Sequence, residues 1–155
     1  MADPTLLPGD RADAPEVLVL QRCCWVAEAI ANDTLDIPPL REDLDAVRGW
    51  VGSAWLLRDG ARLIGGVRGS LDGGVWRIGR LMVAPDRQGE GLGRRLLAHA
   101  EGAAPEGVHR FALFTGRRSS RNLAMYERAG YRRVVEDAAV VHLEKPRRAA
   151  AEARP

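Results

Sequence analysis

Gln88-Gly89-Glu90-Gly91-Leu92-Gly93 follows an apolar run, Leu81-Met82-Val83-Ala84-Pro85, and reads as the entry to a helix. Glycine lets a backbone approach a ligand closely and take up conformations that other residues avoid. The first amides of a helix lack intrahelical partners. With the positive end of the helix dipole they make a site for an anion, naturally a phosphate or pyrophosphate. A Walker loop would need Gly-Lys-Ser or Gly-Lys-Thr, which the chain lacks. A dinucleotide fingerprint would need a third glycine at 94 or 96, where Arg94 and Leu96 stand. Gln/Arg-x-x-Gly-x-Gly is satisfied by Gln88, Gly91 and Gly93. The alternative is a tight strand–helix turn that holds no ligand.

About thirty residues on comes Ser119-Ser120-Arg121-Asn122-Leu123-Ala124-Met125-Tyr126-Glu127-Arg128-Ala129-Gly130-Tyr131. Gly130 suits a helix stop, where a left-handed backbone is often required, and Tyr126 lies one turn before it. The two segments, over roughly residues 76–135, resemble the coenzyme A loop and the Tyr-Glu-x-x-Gly-Tyr signature of the GNAT superfamily of N-acyltransferases. The resemblance implies an α/β (α+β) fold with a mixed central sheet of six to seven strands and about four flanking helices. Its fourth and fifth strands would splay apart. Acetyl-CoA would be the acyl donor, with its pantetheine against the backbone of Leu81, Met82 and Val83. Gln88, Gly89, Glu90, Gly91, Leu92, Gly93 and Arg94 would surround its pyrophosphate.

The same resemblance casts Tyr126 as the acid that protonates the departing thiolate and the Val83 amide as the group polarising the thioester carbonyl. A core tyrosine is the alternative for Tyr126. Many members carry Asn seven residues before this tyrosine; here that position is Ser119, and Asn122 stands four before. A shift of three keeps nearly the same helical face, so Asn122 is a candidate pantetheine contact or a residue bonded locally in its helix. The glutamate that some members place on the fourth strand is absent, Arg80 occupying that region. For the general base the choice falls first on Glu28, with Asp33 and Asp36, near Trp25, or a relaying water as the alternatives. Such carboxylates would suit a cationic amine.

The chain has 155 residues, enough for one domain with a proper core. Its net charge is +2, but residues 145–155 hold four basic groups and one acidic, leaving 19 basic and 20 acidic elsewhere. The body is therefore not basic, and its arginines do not by themselves argue for nucleic acid. No apolar run suits a membrane span, and the N-terminus has no secretory pattern. Cys23 and Cys24 are adjacent, which is neither a disulfide framework nor a metal spacing. They read as small core-filling residues in a cytoplasmic protein. His99, His109 and His142 are scattered and suggest no metal site.

Among the elements that must position these groups, Leu6-Leu7 could begin a first strand. Asp13 reads as the cap of a helix to Ala31, with Glu16 at the capping-box position. Asn32–Pro39 is breaker-rich. A second helix follows on Leu40, Leu44, Val47 and Val51, its Glu42, Asp43 and Asp45 face solvated. Residues 53–83 read as an antiparallel meander, with turns at Asp59-Gly60 and Asp72-Gly73-Gly74. A helix from Leu92 to about Ala104, a strand from Val108 to Thr115, the Tyr126 helix and strands at 131–135 and 138–143 complete one domain, 1–144. Residues 145–155 read as a flexible basic tail.

The expected function is an N-acetyltransferase that moves an acetyl group from acetyl-CoA directly to a primary amine, on a small molecule or a peptide, in a ternary complex. The alternative is a non-catalytic acyl-CoA-binding sensor. A homodimer is left open, since members of the superfamily often dimerise.

Overall fold

A computed structural model describes residues 2–149. Seven strands form one sheet: β1 (Thr5–Pro8), β2 (Ala54–Asp59), β3 (Arg62–Asp72), β4 (Val75–Val83), β5 (Arg110–Gly116), β6 (Arg132–Glu136) and β7 (Val140–Pro146). Their spatial order is β1-β2-β3-β4-β5-β7-β6. Gly60 and Gly73, both with φ of +59°, make the two hairpin turns of the β2–β3–β4 meander. Five helices accompany the sheet: α1 (Ala14–Ala31), α2 (Pro38–Arg41), α3 (Leu44–Trp50), α4 (Leu92–Gly102) and α5 (Ser120–Arg128).

The α4 helix buries Leu92, Leu96, Leu97 and Ala100, which its periodicity puts on one face. They pack on β3 and β4, where the Trp76 indole donates to the Ala100 carbonyl at 2.9 Å. Val17, Leu56, Ile64, Met82 and Leu143 lie in the same continuous core.

The sheet opens in its middle. β4 and β5 are parallel but pair only at Val75–Arg77 with Arg110–Ala112. Past that point β4 runs on to Val83 and β5 to Gly116 without pairing to each other, so the strands part as expected. β5 is held instead along its other edge, where all seven of its residues pair with β7.

Several local expectations fail for definable reasons. Asp10, not Asp13, makes the capping box, with Asp13 as its reciprocal partner, and it caps a 3-10 turn at Arg11–Asp13. Asp13 and Glu16 instead both accept from Arg58 on β2, at 3.0 and 2.9 Å. Pro38 and Pro39 open α2 rather than closing a loop, since proline is tolerated in a helix's first turn. Glu42 ends α2, and Asp43 begins α3 by accepting the Ala46 amide at 2.9 Å. The solvated acidic face also fails at Glu42, whose carboxylate is half-buried against Arg80 at 2.6 Å. β7 continues through Pro146, and Arg147 donates to the Pro105 carbonyl at 2.7 Å. Residues 145–147 are thus tied into the fold, while 150–155 of the expected tail lie outside the described residues. Cys23 is exposed rather than core-filling.

Candidate active site

Where β4 and β5 part, a cleft of about 1200 Å³ opens and runs from the glycine loop to the space under α1 and α2. At one end, Gly89 and Gly91 hold φ of +86° and +78°, left-handed values that favour glycine at both points of the turn. Gly91 is the N-cap residue of α4 and brings no side-chain cap, so the leading amides of the helix are not satisfied by their own cap. A Cβ on Gly93 would lie 3.1 Å from the Met125 sulfur, so glycine allows α5 to close on α4. Glu90, the loop's carboxylate, bonds to Arg87 at 2.7 and 3.2 Å and does not line the cleft. Arg87 also holds Asp59 at 2.8 Å. With that negative charge drawn aside, Arg94 and Arg121 flank the loop, and Arg121 donates to the Gln88 side chain at 3.2 Å. Donors and positive charge around a bare helix start fit a pyrophosphate, and the parted strands fit an extended pantetheine arm.

The end of β4 supplies the next group. The Ala84 amide bonds back to Ile64 on β3 at 2.8 Å. Amides alternate sides along an extended strand, so the Val83 amide faces the open edge. The Val83 carbonyl accepts the Cys24 thiol at 3.3 Å. Burial, with the neighbouring Cys23 adding to it, pushes the Cys24 thiol up to about 12. It is a protonated donor at neutral pH, not a nucleophile.

Tyr126 is buried on α5 and lines the cleft, its ring edge-on to Tyr131 with centroids 6.1 Å apart. Burial, and after it the negative charge of Glu28, hold its hydroxyl above the ordinary tyrosine range. Glu28 lies on α1 and lines the same cleft. It accepts from the Ser119 hydroxyl, from Asn122 at 2.7 Å and from Asn32 at 3.5 Å. The chain thus brings together Glu28 and Tyr126, which are nearly a hundred residues apart. Asn122 is not bonded within its helix: its amide reaches Glu28 and, at 3.4 Å, Thr115. Asp33 lies just past the Asn32 C-cap of α1 with φ of +57°, and Asp36 pairs with Arg41 at 3.1 Å in solvent. Neither lines the cleft, whereas Trp25 does.

Sequence reasoning missed Asn32, Ser119 and Gly116. Asn32 donates to the Glu28 carbonyl at 2.8 Å and to the Ser119 hydroxyl at 3.1 Å, and accepts the Arg118 amide at 2.9 Å. It clamps the end of α1 to the β5–α5 turn. A Cβ on Gly116 would overlap the Asn32 amide. No local pattern announces such a clamp, because its partners are 86 and 87 residues away.

At the cleft's other end, β4 carries a bulge opposite Gly66–Arg68, and Arg80 there has φ of +48°. Such bulges re-aim side chains. Arg80 is turned onto Glu42, whose second oxygen accepts from Gln21 at 2.8 Å and from Trp50 at 3.2 Å. Burial works against the Glu42 charge, but the bonds from Arg80, Gln21 and Trp50 outweigh it and hold the carboxyl below its usual range.

Residues 15–131 match the model of the Acetyltransferase (GNAT) family. The chain belongs to that family. None of the curated proteins matches the sequence. Among solved structures, the PaiA N-acetyltransferase of Thermoplasma acidophilum in complex with coenzyme A is similar, with a TM-score of 0.83 at 15% identity, over 94% of this chain and 100% of that one. The ribosomal-protein-S18-alanine N-acetyltransferase of Escherichia coli has a TM-score of 0.74 at 16% identity, over 98% and 99% of the chains. The yncA protein of Salmonella typhimurium, solved with its cofactor acetyl-CoA, has 0.72 at 18%, over 99% and 100%.

Proposed function

We propose that the protein transfers an acetyl group from acetyl-CoA directly to a primary amine, both substrates being bound together. The observation that carries this reading is the meeting of Glu28 and Tyr126 in one cleft, at the point where β4 offers an open edge. Acetyl-CoA supplies a thioester whose carbonyl an amine can attack, with a thiolate leaving.

The chain's own residues divide the remaining work. The amides of 89–94 and the Arg94 side chain hold the pyrophosphate, and the β4 backbone at Leu81, Met82 and Val83 holds the pantetheine. The Val83 amide polarises the carbonyl, as a preorganised donor does. Glu28 takes the proton of the amine, its carboxylate oriented by Ser119, Asn122 and Asn32. Those donors hold the carboxylate in one place on the cleft wall. Tyr126 keeps its proton at neutral pH and delivers it to the sulfur. Cys24 fixes the Val83 peptide and takes no part as a nucleophile.

The test is acetyl-CoA turnover against a panel of amines, followed by thiol release. Turnover with at least one acceptor, and sequential rather than ping-pong kinetics, is expected. Acetyl-CoA binding without thiol release for any acceptor would point instead to a binding module.

A further inference from the structure

The end of the cleft away from the glycine loop holds more positive than negative charge. Arg68 on β3 and Arg80 on β4 both line it. Glu42 pairs with Arg80 at 2.6 Å, and its second oxygen is engaged by Gln21 and Trp50. Among the described residues, no carboxylate lies within 4.0 Å of Arg68. Its Nε donates to the Ser53 hydroxyl at 3.0 Å, and its guanidinium lies 5.9 Å from the centre of the Trp50 ring. A guanidinium has five N–H donors, so most of those on Arg68 remain to be matched. The Arg80 Nε is buried without a partner among the described residues. Burial, and then the charge of Arg80, weaken the hold of Arg68 on its proton, so the two cations feel each other.

The nearby charges do not offset them. Arg77 is matched by Asp72 at 2.9 Å in solvent, and Glu144 faces Arg110 at 3.7 Å. There is room for a ligand. Arg68 pairs in register with Gly79, so the two share a face, and a Cβ on Gly79 would meet nothing within 4 Å. Ile37 and Pro38 also line this space. Two guanidinium groups against one carboxylate leave one positive charge, which calls for a monoanion.

We propose that the acceptor is a small amine that also bears a carboxylate, of the amino-acid class. Arg68 takes the carboxylate, with the charge of Arg80 beside it, while the amine points to Glu28 and Tyr126. The planar fork of arginine matches a carboxylate with two parallel hydrogen bonds. This substrate class rests on the acetyltransferase reading. It reverses the expectation, drawn from the acidic residues near Trp25, that the pocket suits a cationic amine: Asp33 and Asp36 are outside the cleft, and the arginines are inside it.

The experiment measures thiol release from acetyl-CoA with the twenty standard amino acids, with their carboxamides, and with spermidine. At least one amino acid should exceed its own carboxamide and spermidine by about tenfold or more in kcat/KM, as expected for a lost hydrogen bond to a charged group. Arg68→Gln should raise KM for that amino acid by about tenfold, lower kcat far less, and shrink its preference over the carboxamide to under about twofold. Arg68→Lys, which keeps the charge but not the fork, should recover part of that preference. Carboxamides or spermidine turned over as well as amino acids would overturn the substrate class and leave the transferase reading standing. So would an Arg68→Gln variant that slows both acceptor types equally. Thiol release with no amine at all would overturn both.

Discussion

Tyr126 and Glu28 stand at opposite ends of the proposed proton path, and each carries a different expectation. Tyr126→Phe removes one hydroxyl and keeps the ring that packs against Tyr131. It should lower kcat by about a hundredfold, the low end for a lost general acid, with acetyl-CoA affinity barely altered. Unchanged turnover, read from steady-state kinetics beside calorimetric binding, would reduce Tyr126 to a packing residue. The direction of its shift sets the pH profile. Burial and Glu28 raise the hydroxyl's pKa, so it stays protonated through neutrality, and its loss should bring no basic limb in kcat below the ordinary tyrosine value of about 10. Glu28→Gln should slow turnover by about a hundredfold or more. Asp33→Asn and Asp36→Asn, at residues that do not line the cleft, should leave turnover as it is. A larger effect from either aspartate than from Glu28 would move the base into the loop.

Among the elements, the start of α4 depends most on a single residue. Gly91 combines φ of +78° with the N-cap position, and an L residue there costs about 1 kcal/mol in backbone strain. Gly91→Ala should therefore destabilise the protein by about that amount and weaken acetyl-CoA binding by more than strain alone explains, because the helix amides would be misdirected. Equilibrium unfolding and calorimetry separate the two effects. A stability loss without an affinity loss would place the pyrophosphate elsewhere. The loop was legible in the sequence because glycine spacing is a local matter of backbone conformation. Arg80 was not, since its direction depends on a bulge set by pairing with β3. Pro38 and Pro39 were misread because a proline pair marks a break and a helix start equally well.

At the scale of the whole molecule, the cleft requires that two half-sheets stay joined while their facing strands part. Behind the cleft, Glu101 of α4 accepts the Tyr131 hydroxyl at 2.8 Å and the Lys145 ammonium at 3.0 and 3.1 Å. One carboxylate thus ties the half that carries β4 to the half that carries β7. Lys145 also stands 5.4 Å from the centre of the Tyr131 ring. Glu101→Gln keeps the shape and breaks the ion pair, which is partly buried on both sides. It should cost about 2–3 kcal/mol in urea unfolding, somewhat less than a fully buried pair. An unchanged midpoint would show that pairing of β5 with β7 holds the halves together unaided.

The sequence by itself determined the family, the order of strands and helices apart from the break between α2 and α3, the glycine loop and the place of Tyr126 on its helix. Each of these is written in spacing over a few residues, through turn chemistry, helical period and the conformational freedom of glycine. Only the tertiary structure decided which carboxylate faces Tyr126 and that Arg80 meets Glu42. Those outcomes depend on pairs from 38 to nearly a hundred residues apart. Charge and burial become properties of a side chain only once the fold has chosen its neighbours, so the local reading that put Glu28 before Asp33 and Asp36 had no contact to rest on. Packing α1 against the start of α5 ranks them at once, by placing Glu28 within reach of Ser119 and Asn122 and leaving both aspartates outside.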